Sequence, residues 1–262
     1  MSASDTIAYQ VRVPVVCVYK TPAQDSRVET QILFGCGFEV FEIKDGWAQG
    51  REIVKTDDGY EGYVPMSALV TPAVSPTHQI SVLRAPVFSK SDLKSQILQF
   101  LLLNSQVSVE DEDGDYHHVQ DLGWVHENHL LTHEQARVDA DFVEIAELHF
   151  GLPYVWGGTS SEGLDCSGLV QSSLRAVGRD APRDTHEQEK ALGRSVPIHE
   201  DLSGLARGDL VFWKGHVGIM GDANMLLHAN AYHMSVAIEP LQDAVARISH
   251  SAGPITSIKR MD

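Results

Sequence analysis

Apolar and polar residues alternate along much of the first half of the chain, as they do in strands that bury one face. The alternation involves Phe38, Val40 and Ile43 in one stretch, and Val107 and Val109 in another. We therefore expect short, half-buried strands separated by glycine and aspartate turns in this half of the chain.

The two stretches belong to a sequence repeat, because residues 29–69 are echoed by residues 94–130. Each copy has Gln-Ile-Leu, then the alternating segment, then Gly-aromatic-Val and a leucine. The repeat predicts two small β-barrels, residues 9–70 and 78–131, joined by a linker that contains two prolines.

In the second half, apolar residues recur at helical spacing. A capping-box pattern, Thr-x-x-Gln, begins at Thr132 and predicts a helix over residues 132–150. The residues at helical spacing are Val138, Phe142, Ile145 and His149. A second helix is expected from Cys166 to Gly178, where the glycine ends the apolar run.

Four short apolar segments follow these helices and are separated by Gly, Asn and Asp. They are residues 209–213, 216–220, 224–230 and 235–241. Helices followed by consecutive strands indicate an α+β domain with an antiparallel sheet, which we place at residues 133–262.

Composition and charge narrow the possible partners. Of the 262 residues, 43% are hydrophobic and 21% are charged, as in globular proteins. The formal net charge of -16 argues against nucleic acid and anionic membranes as partners. No stretch approaches the roughly 18 apolar residues of a membrane-spanning helix. Residues 1–16 lack a secretory signal and the three cysteines lack disulfide spacing, which together predict a cytoplasmic protein.

Cys166 is a candidate nucleophile because Asp165 is a good N-cap and would place the cysteine in the first turn of its helix. The helix dipole and free amide groups there favour a thiolate, and the same amides could hold an oxyanion. The alternative is a packing role, since free cysteines are among the most buried residues.

A thiol of ordinary pKa needs a neighbouring base, and two histidines occur on predicted strands downstream. His216 opens one strand and His228 lies on the next one. Adjacent antiparallel strands can align both rings, with His228 orienting His216. The alternative is that each is a hydrogen-bonded core histidine.

Five segments of the second half carry a family pattern. They are YVWGGTSSEGLDCSGLVQ (154–171), PRDTHEQ (182–188), ARGDLVFW (206–213), GHVGIM (215–220) and LLHANAYHM (226–234). In this order they resemble the NlpC-type cysteine peptidases, a papain-like family that cleaves bacterial cell-wall peptides. The resemblance implies a papain-like fold with Cys166 as nucleophile, His216 as general base and His228 as the orienting residue, and needs no metal or cofactor.

The same resemblance implies further site residues. Asp165 and Ser167 flank the nucleophile and would contact the substrate, and Tyr154 and Trp156 would line the cleft. The matching segment with Arg183, Asp184 and Gln188 would border the active site. The alternative for that segment is a solvated helix start capped by Asp184.

Two SH3-like barrels before such a domain resemble a subgroup that acts on released wall peptides with a free N-terminal L-Ala. The resemblance implies cleavage between γ-D-Glu and a diamino acid, meso-diaminopimelate or L-Lys, with the first barrel binding the L-Ala ammonium group. Tyr60 and Glu29 are the candidates for that contact, since a buried ammonium needs an acceptor. Tyr63 could replace Tyr60, and Glu61 or Asp25 could replace Glu29. Gly-aromatic-Val recurs in the second barrel, which instead indicates a core position for Tyr63.

Two other functions stay open at this point. The first is a peptidase or amidase that acts on polymeric peptidoglycan, and the second is a wall-binding module without catalysis. The histidines around the second barrel are expected to be exposed loop residues, because no cysteine or carboxylate completes a metal-ligand spacing. They are His117, His118, His126, His129 and His133.

Overall fold

The computed structural model of the protein describes residues 7–54, 59–133 and 140–261. The chain forms two compact units, residues 1–136 and 137–262. No helix among the described residues is long and apolar enough to cross a membrane.

The first part of unit one is an antiparallel sheet of seven strands. They are β1 Ile7–Val11, β2 Val15–Tyr19, β3 Val28–Leu33, β4 Gly37–Lys44, β5 Trp47–Glu52, β6 Glu61–Pro65 and β7 Leu69–Val70, with a 3-10 turn at Met66–Ala68. Their order is β3-β2-β6-β5-β4-β1-β7. Among the described residues β3 and β7 are the outer strands of this hydrogen-bonded sheet.

Alternation along these strands builds a core of their own, as the sequence predicted. Its buried members include Val11, Val16, Val18, Ile32, Phe38, Val40, Ala48 and Val64. Ile43 was expected on this buried face but is 51% exposed. It lies at the end of β4, next to the hairpin turn at Asp45 and Gly46, where both residues have positive φ and the strand pair extends beyond the core.

The second part of unit one repeats this design with separate sheets. Its strands are β8 His78–Ile80, β9 Arg84–Phe88, β10 Ile97–Leu102, β11 Gln106–Val107, β12 Val109–Asp113, β13 Tyr116–Val119, β14 Gly123–His126 and β15 Leu130–Thr132, with a 3-10 turn at Glu127–His129. They form a five-stranded sheet, β10-β9-β14-β13-β12, and a three-stranded sheet, β11-β8-β15. The domain bounds predicted within this unit stay a prediction.

The repeated Gly-aromatic-Val does not place its aromatic residue in the core. Val64 in β6 and Val125 in β14 are fully buried, whereas Tyr63 and Trp124 are only half-buried. Because neighbouring strand residues face opposite sides, the valine takes the core position and the aromatic side chain points the other way. The core position predicted for Tyr63 is therefore wrong.

Unit two has the predicted α+β architecture with an antiparallel sheet. Its helices are α1 Phe142–Leu148, α2 Cys166–Ala176, α3 Thr185–Ala191 and α4 Leu241–Ala252. Its strands are β16 Thr159–Ser160, β17 Gly163–Leu164, β18 Arg194–Val196, β19 Leu210–Trp213, β20 His216–Met220, β21 Met225–Asn230, β22 Ser235–Pro240 and β23 Ser257–Arg260. The main sheet runs β18-β23-β19-β20-β21-β22, and β16 pairs with β17.

The first predicted helix begins later than the sequence indicated. Thr132 ends strand β15, and the N-cap of α1 is Asp141, whose carboxylate accepts a hydrogen bond from the Val143 amide at 2.9 Å. Val138 lies outside the described residues. The predicted apolar face of the remaining helix is buried, at Phe142, Ile145 and His149.

Candidate active site

Cys166 is the first residue of α2, as predicted. The Asp165 side chain caps the helix, because Oδ1 accepts a hydrogen bond from the Gly168 amide at 2.7 Å. The amides of Cys166 and Ser167 precede the first intrahelical hydrogen bond, so they point out of the helix end. Cys166 is buried, with 8% exposure of the residue.

The surroundings of Cys166 favour the protonated thiol, which differs from the thiolate expected at a helix N-terminus. Burial raises the pKa of Cys166, and the neighbouring Asp165 carboxylate raises it further. The Thr185 hydroxyl, 3.8 Å from Sγ, and the Val217 amide act in the opposite direction. Burial and the Asp165 carboxylate therefore favour the proton on the sulfur, and attack by Cys166 requires a base.

The structure brings His216 and His228 together. Their rings share a hydrogen bond of 2.8 Å between His216 Nε2 and His228 Nδ1. Gly218 of β20 lies next to His228. A larger residue at this position would crowd the histidine, because its Cβ would come within 3.2 Å of the His228 Cβ. The Val217 amide that contacts the Cys166 sulfur belongs to the residue directly after His216, which places the thiol beside the start of β20.

Both rings are neutral at neutral pH. Burial and the positive charge of Arg247 lower the pKa of His216 to about 4. Burial, reinforced by His216, lowers the pKa of His228 to about 2. A neutral imidazole has a lone pair, so His216 can accept a proton from a thiol.

Sequence reasoning missed the next partner in this group. Glu239 Oε1 lies 2.7 Å from His228 Nε2, and the Arg247 guanidinium pairs with the same carboxylate oxygen. The Tyr232 ring lies against the guanidinium, 4.3 Å away. The sequence did contain a signal for this residue. Glu239 is the one carboxylate in the otherwise apolar segment 235–241, which was expected to form the strand that pairs with that of His228.

The carboxylate of Asp165 is held in place by several hydrogen-bond donors. Arg183 donates to both of its oxygens, at 2.9 and 2.6 Å, and the Gly157 amide donates to Oδ2 at 2.9 Å. With the Gly168 amide, these donors fill the acceptor sites of the carboxylate. The Asp165 carboxylate therefore caps α2 and pairs with Arg183, and its predicted substrate contact stays a prediction.

The segment around Arg183 is buried, so the alternative of a solvated helix start is wrong. Arg183 also donates to the Ser167 hydroxyl at 2.8 Å. Gln188 donates to the carbonyls of Ser167 and Pro182, at 2.9 and 2.8 Å. Asp184 is the N-cap residue of α3 but its side chain makes no capping bond. The segment thus packs directly under the nucleophile's turn.

Tyr154 lies close to Cys166 and Asp165. Burial and these two groups raise the pKa of its phenol to about 12, so the hydroxyl remains a hydrogen-bond donor. Trp156 is 62% exposed. The substrate contacts predicted for Tyr154, Trp156 and Ser167 stay predictions.

The two residues proposed to bind an ammonium group lie in unit one. Glu29, on β3, forms a bidentate ion pair with Arg27, at 3.0 and 2.7 Å. A carboxylate offers about four acceptor positions, so this pair leaves room for a further donor. Tyr60 is half-buried beside β6, while Asp25 and Glu61 are exposed. The role of Glu29 and Tyr60 stays a prediction.

One group among the described residues has metal-ligand spacing, formed by His228, His233 and Glu239, whose ligand atoms lie within 4.8 Å of one another. Glu239 is already paired with the Arg247 guanidinium, and that positive charge opposes a bound cation. We assign no metal to this group.

A second buried histidine leads to a pH prediction. His149 is fully buried, donates from Nδ1 to the Ile145 carbonyl at 2.8 Å, and has no partner for Nε2 among the described residues. Because the carbonyl is only an acceptor, Nδ1 carries the proton. Burial lowers the pKa of this ring. Below about pH 6.5 the unfolded chain therefore binds a proton at this histidine that the folded chain does not bind. The free energy of unfolding decreases as the pH is lowered.

We expect His149→Gln to reduce the slope of unfolding free energy against pH by up to about 1.4 kcal/mol per pH unit below pH 6.5. Urea unfolding at a series of pH values measures the slope. His250→Gln is the control, because His250 contacts the Ala246 carbonyl at 2.7 Å in the same i to i−4 manner but is exposed. An unchanged slope in His149→Gln would contradict the prediction.

Comparison with known proteins supports the same division of the chain. Residues 151–249 match the NlpC/P60 family, and residues 18–69 match the bacterial dipeptidyl-peptidase Sh3 domain. The chain is 27% identical over 237 residues to the gamma-D-glutamyl-L-lysine dipeptidyl-peptidase of Bacillus subtilis (strain 168), covering 84% of this chain and 78% of that protein.

Two further relatives extend this picture. The chain is 40% identical over 86 residues to murein DD-endopeptidase MepS/murein LD-carboxypeptidase of Escherichia coli (strain K12), covering 30% of this chain and 43% of that protein. The crystal structure of an NlpC/P60 family protein from Bacillus cereus ATCC 10987 has a TM-score of 0.79 at 20% identity, and covers 97% of this chain and 99% of that one. This structural likeness concerns the fold.

Proposed function

Because this chain carries the catalytic domain of the NlpC/P60 cysteine peptidases and the SH3 domain of bacterial dipeptidyl-peptidases, we propose that it hydrolyses peptidoglycan peptides. The bond cleaved is the one between γ-D-Glu and the following diamino acid, in peptides with a free N-terminal L-Ala. The observation that carries the catalytic part is the 2.8 Å hydrogen bond between His216 and His228 beside the buried thiol of Cys166.

The chemistry follows from the protonation states of the site. His216 removes the proton of Cys166 as the sulfur attacks the γ-glutamyl carbonyl. The outward amides of Cys166 and Ser167 stabilise the oxyanion, since helix N-termini favour negative charge. His216 then gives its proton to the leaving amine of the diamino acid. Water, deprotonated by His216, hydrolyses the thioester and regenerates the thiol.

The proposed substrate rests on similarity across both units. The Bacillus subtilis relative named for γ-D-glutamyl-L-lysine matches 84% of this chain, a share that exceeds the catalytic domain alone. A free L-Ala ammonium needs an acceptor, usually a carboxylate, and we propose Glu29 and Tyr60 for this contact.

The test compares L-Ala-γ-D-Glu-meso-diaminopimelate with the same peptide N-acetylated on L-Ala, and mass spectrometry identifies the products. We expect L-Ala-γ-D-Glu and free diaminopimelate from the first peptide. We expect a reduction in kcat/KM of at least about 10-fold for the acetylated one, because acetylation removes the charge of a hydrogen-bonded ion pair. The same panel with L-Lys in place of diaminopimelate determines the preferred diamino acid.

Equal cleavage of the free and acetylated peptides would contradict the recognition of a free N-terminus. It would instead support the second candidate, a peptidase of polymeric peptidoglycan. The 40% identity of an 86-residue segment to the Escherichia coli murein endopeptidase is the observation that favours this alternative. Release of soluble peptides from purified sacculi measures it directly.

We also propose that the protein works on recycled peptides in the cytoplasm. The net charge of -16 disfavours the anionic wall, and the three cysteines lack the spacing of a disulfide framework, as in a reducing compartment. Cell fractionation tests this, and a periplasmic or extracellular protein would contradict it.

A further inference from the structure

A chain of hydrogen bonds continues beyond the two histidines. His228 bonds His216 through Nδ1 and Glu239 through Nε2, at 2.8 and 2.7 Å. The Glu239 carboxylate is in turn paired with Arg247 of α4. We propose that Glu239 is a positioning residue that fixes the tautomers of His228 and His216, so that the lone pair of the base faces Cys166.

The argument begins at the carboxylate, which can only accept hydrogen bonds. His228 must therefore carry its proton on Nε2 to bond Glu239, and its Nδ1 is left with a lone pair. That lone pair can only accept, so His216 must donate to it through Nε2–H. A neutral His216 protonated on Nε2 has its lone pair on Nδ1, the one nitrogen that remains to take the thiol proton.

The surroundings keep Glu239 in this role. Arg247 holds the carboxylate in place, and the Tyr232 ring lies against the guanidinium. The charged or titratable groups that act on His228 are His216, His233 and Arg247, together with Glu239 at hydrogen-bond distance. Among these groups, Glu239 carries the negative charge. When His216 takes the thiol proton, this charge stabilises the imidazolium through the hydrogen bonds of His228.

Replacing Glu239 by glutamine tests this assignment. The side-chain amide of glutamine can donate as well as accept, so it permits the opposite tautomer of His228 and hence of His216. We expect kcat of Glu239→Gln to fall roughly 10- to 100-fold with KM little changed. In 15N spectra of the free protein, His216 Nδ1 should change from a lone-pair nitrogen in the wild type toward a protonated one in Glu239→Gln.

Two further variants separate positioning from folding. Glu239→Asp keeps an acceptor-only carboxylate, so it should keep the wild-type tautomers and lose less activity than Glu239→Gln. Glu147→Gln is the matched control, because Glu147 forms a bidentate ion pair with Arg207 in the same unit, at 2.7 and 3.0 Å. Its kcat and KM should stay at wild-type values.

The inference is overturned if the wild type carries its proton on His216 Nδ1, or if Glu239→Gln keeps wild-type kcat and tautomers. Equal losses in Glu239→Asp and Glu239→Gln with unchanged tautomers also overturn it. The inference rests on the proposed catalytic function, but the two fail separately. The 15N measurement needs no substrate, whereas turnover by Cys166→Ala would refute the catalytic function.

Discussion

Cys166→Ala is expected to lower kcat by on the order of 10⁶-fold, because removing the nucleophile of a coupled catalytic group eliminates its shared contribution. Steady-state hydrolysis of L-Ala-γ-D-Glu-meso-diaminopimelate, followed by mass spectrometry, measures the loss. The buried thiol lies beside the start of the His216 strand, and we propose that no other group in unit two takes its place. Isothermal titration of the variant with the same peptide should still show binding, since the alanine removes only the sulfur.

The matched control is Cys17→Ala. Cys17 is a half-buried strand residue of unit one, and its sulfur contacts the Gln31 amide at 4.0 Å and the Tyr19 hydroxyl. This variant should keep wild-type kcat. If Cys166→Ala retained more than about one-hundredth of wild-type activity, covalent catalysis by this thiol would be refuted, as would the proposed function.

Arg183→Met should destabilise unit two by about 3–5 kcal/mol, the usual cost of leaving a buried charge without its partner. The ion pair it breaks is almost fully buried, with 7% exposure for Arg183 and 11% for Asp165. Asp165 caps α2, so the loss should concentrate at the start of that helix. Hydrogen exchange of the α2 amides reports this local free energy without treating the two units as a single two-state system.

Arg27→Met is the control for that measurement. It also removes an arginine from a bidentate carboxylate, but Arg27 is 59% exposed. Exposed pairs contribute about 0–1 kcal/mol, so unit one should lose no more than that. Similar losses in the two variants would show that burial does not determine the strength of the Arg183 pair.

Much of the catalytic unit could be predicted from local patterns. The start of α2 at Cys166 was predicted from Asp165 as its N-cap. The capping hydrogen bond from the Gly168 amide to Asp165 Oδ1 is found at 2.7 Å. The strands of His216 and His228 were predicted from short apolar runs, and their rings do meet. The start of the first helix was predicted wrongly at Thr132, because a capping-box pattern there was outweighed by pairing of Thr132 in strand β15.

The remaining features depend on contacts between segments that are distant in sequence. Only the fold brings Arg183 to Asp165, 18 residues earlier, where it donates to both carboxylate oxygens. Glu239 is one carboxylate among many in the sequence, and only the pairing of β21 with β22 brings it to His228.

The sequence by itself determined the local elements, their order and the types of the reacting groups, because caps, turns and alternation act over a few residues. The tertiary structure decided which groups are charged. Cys166 is the clearest case, since its place at a helix N-terminus is a local feature that favours a thiolate, yet burial raises its pKa. Desolvation depends on everything packed around the sulfur, and no stretch of sequence specifies that on its own.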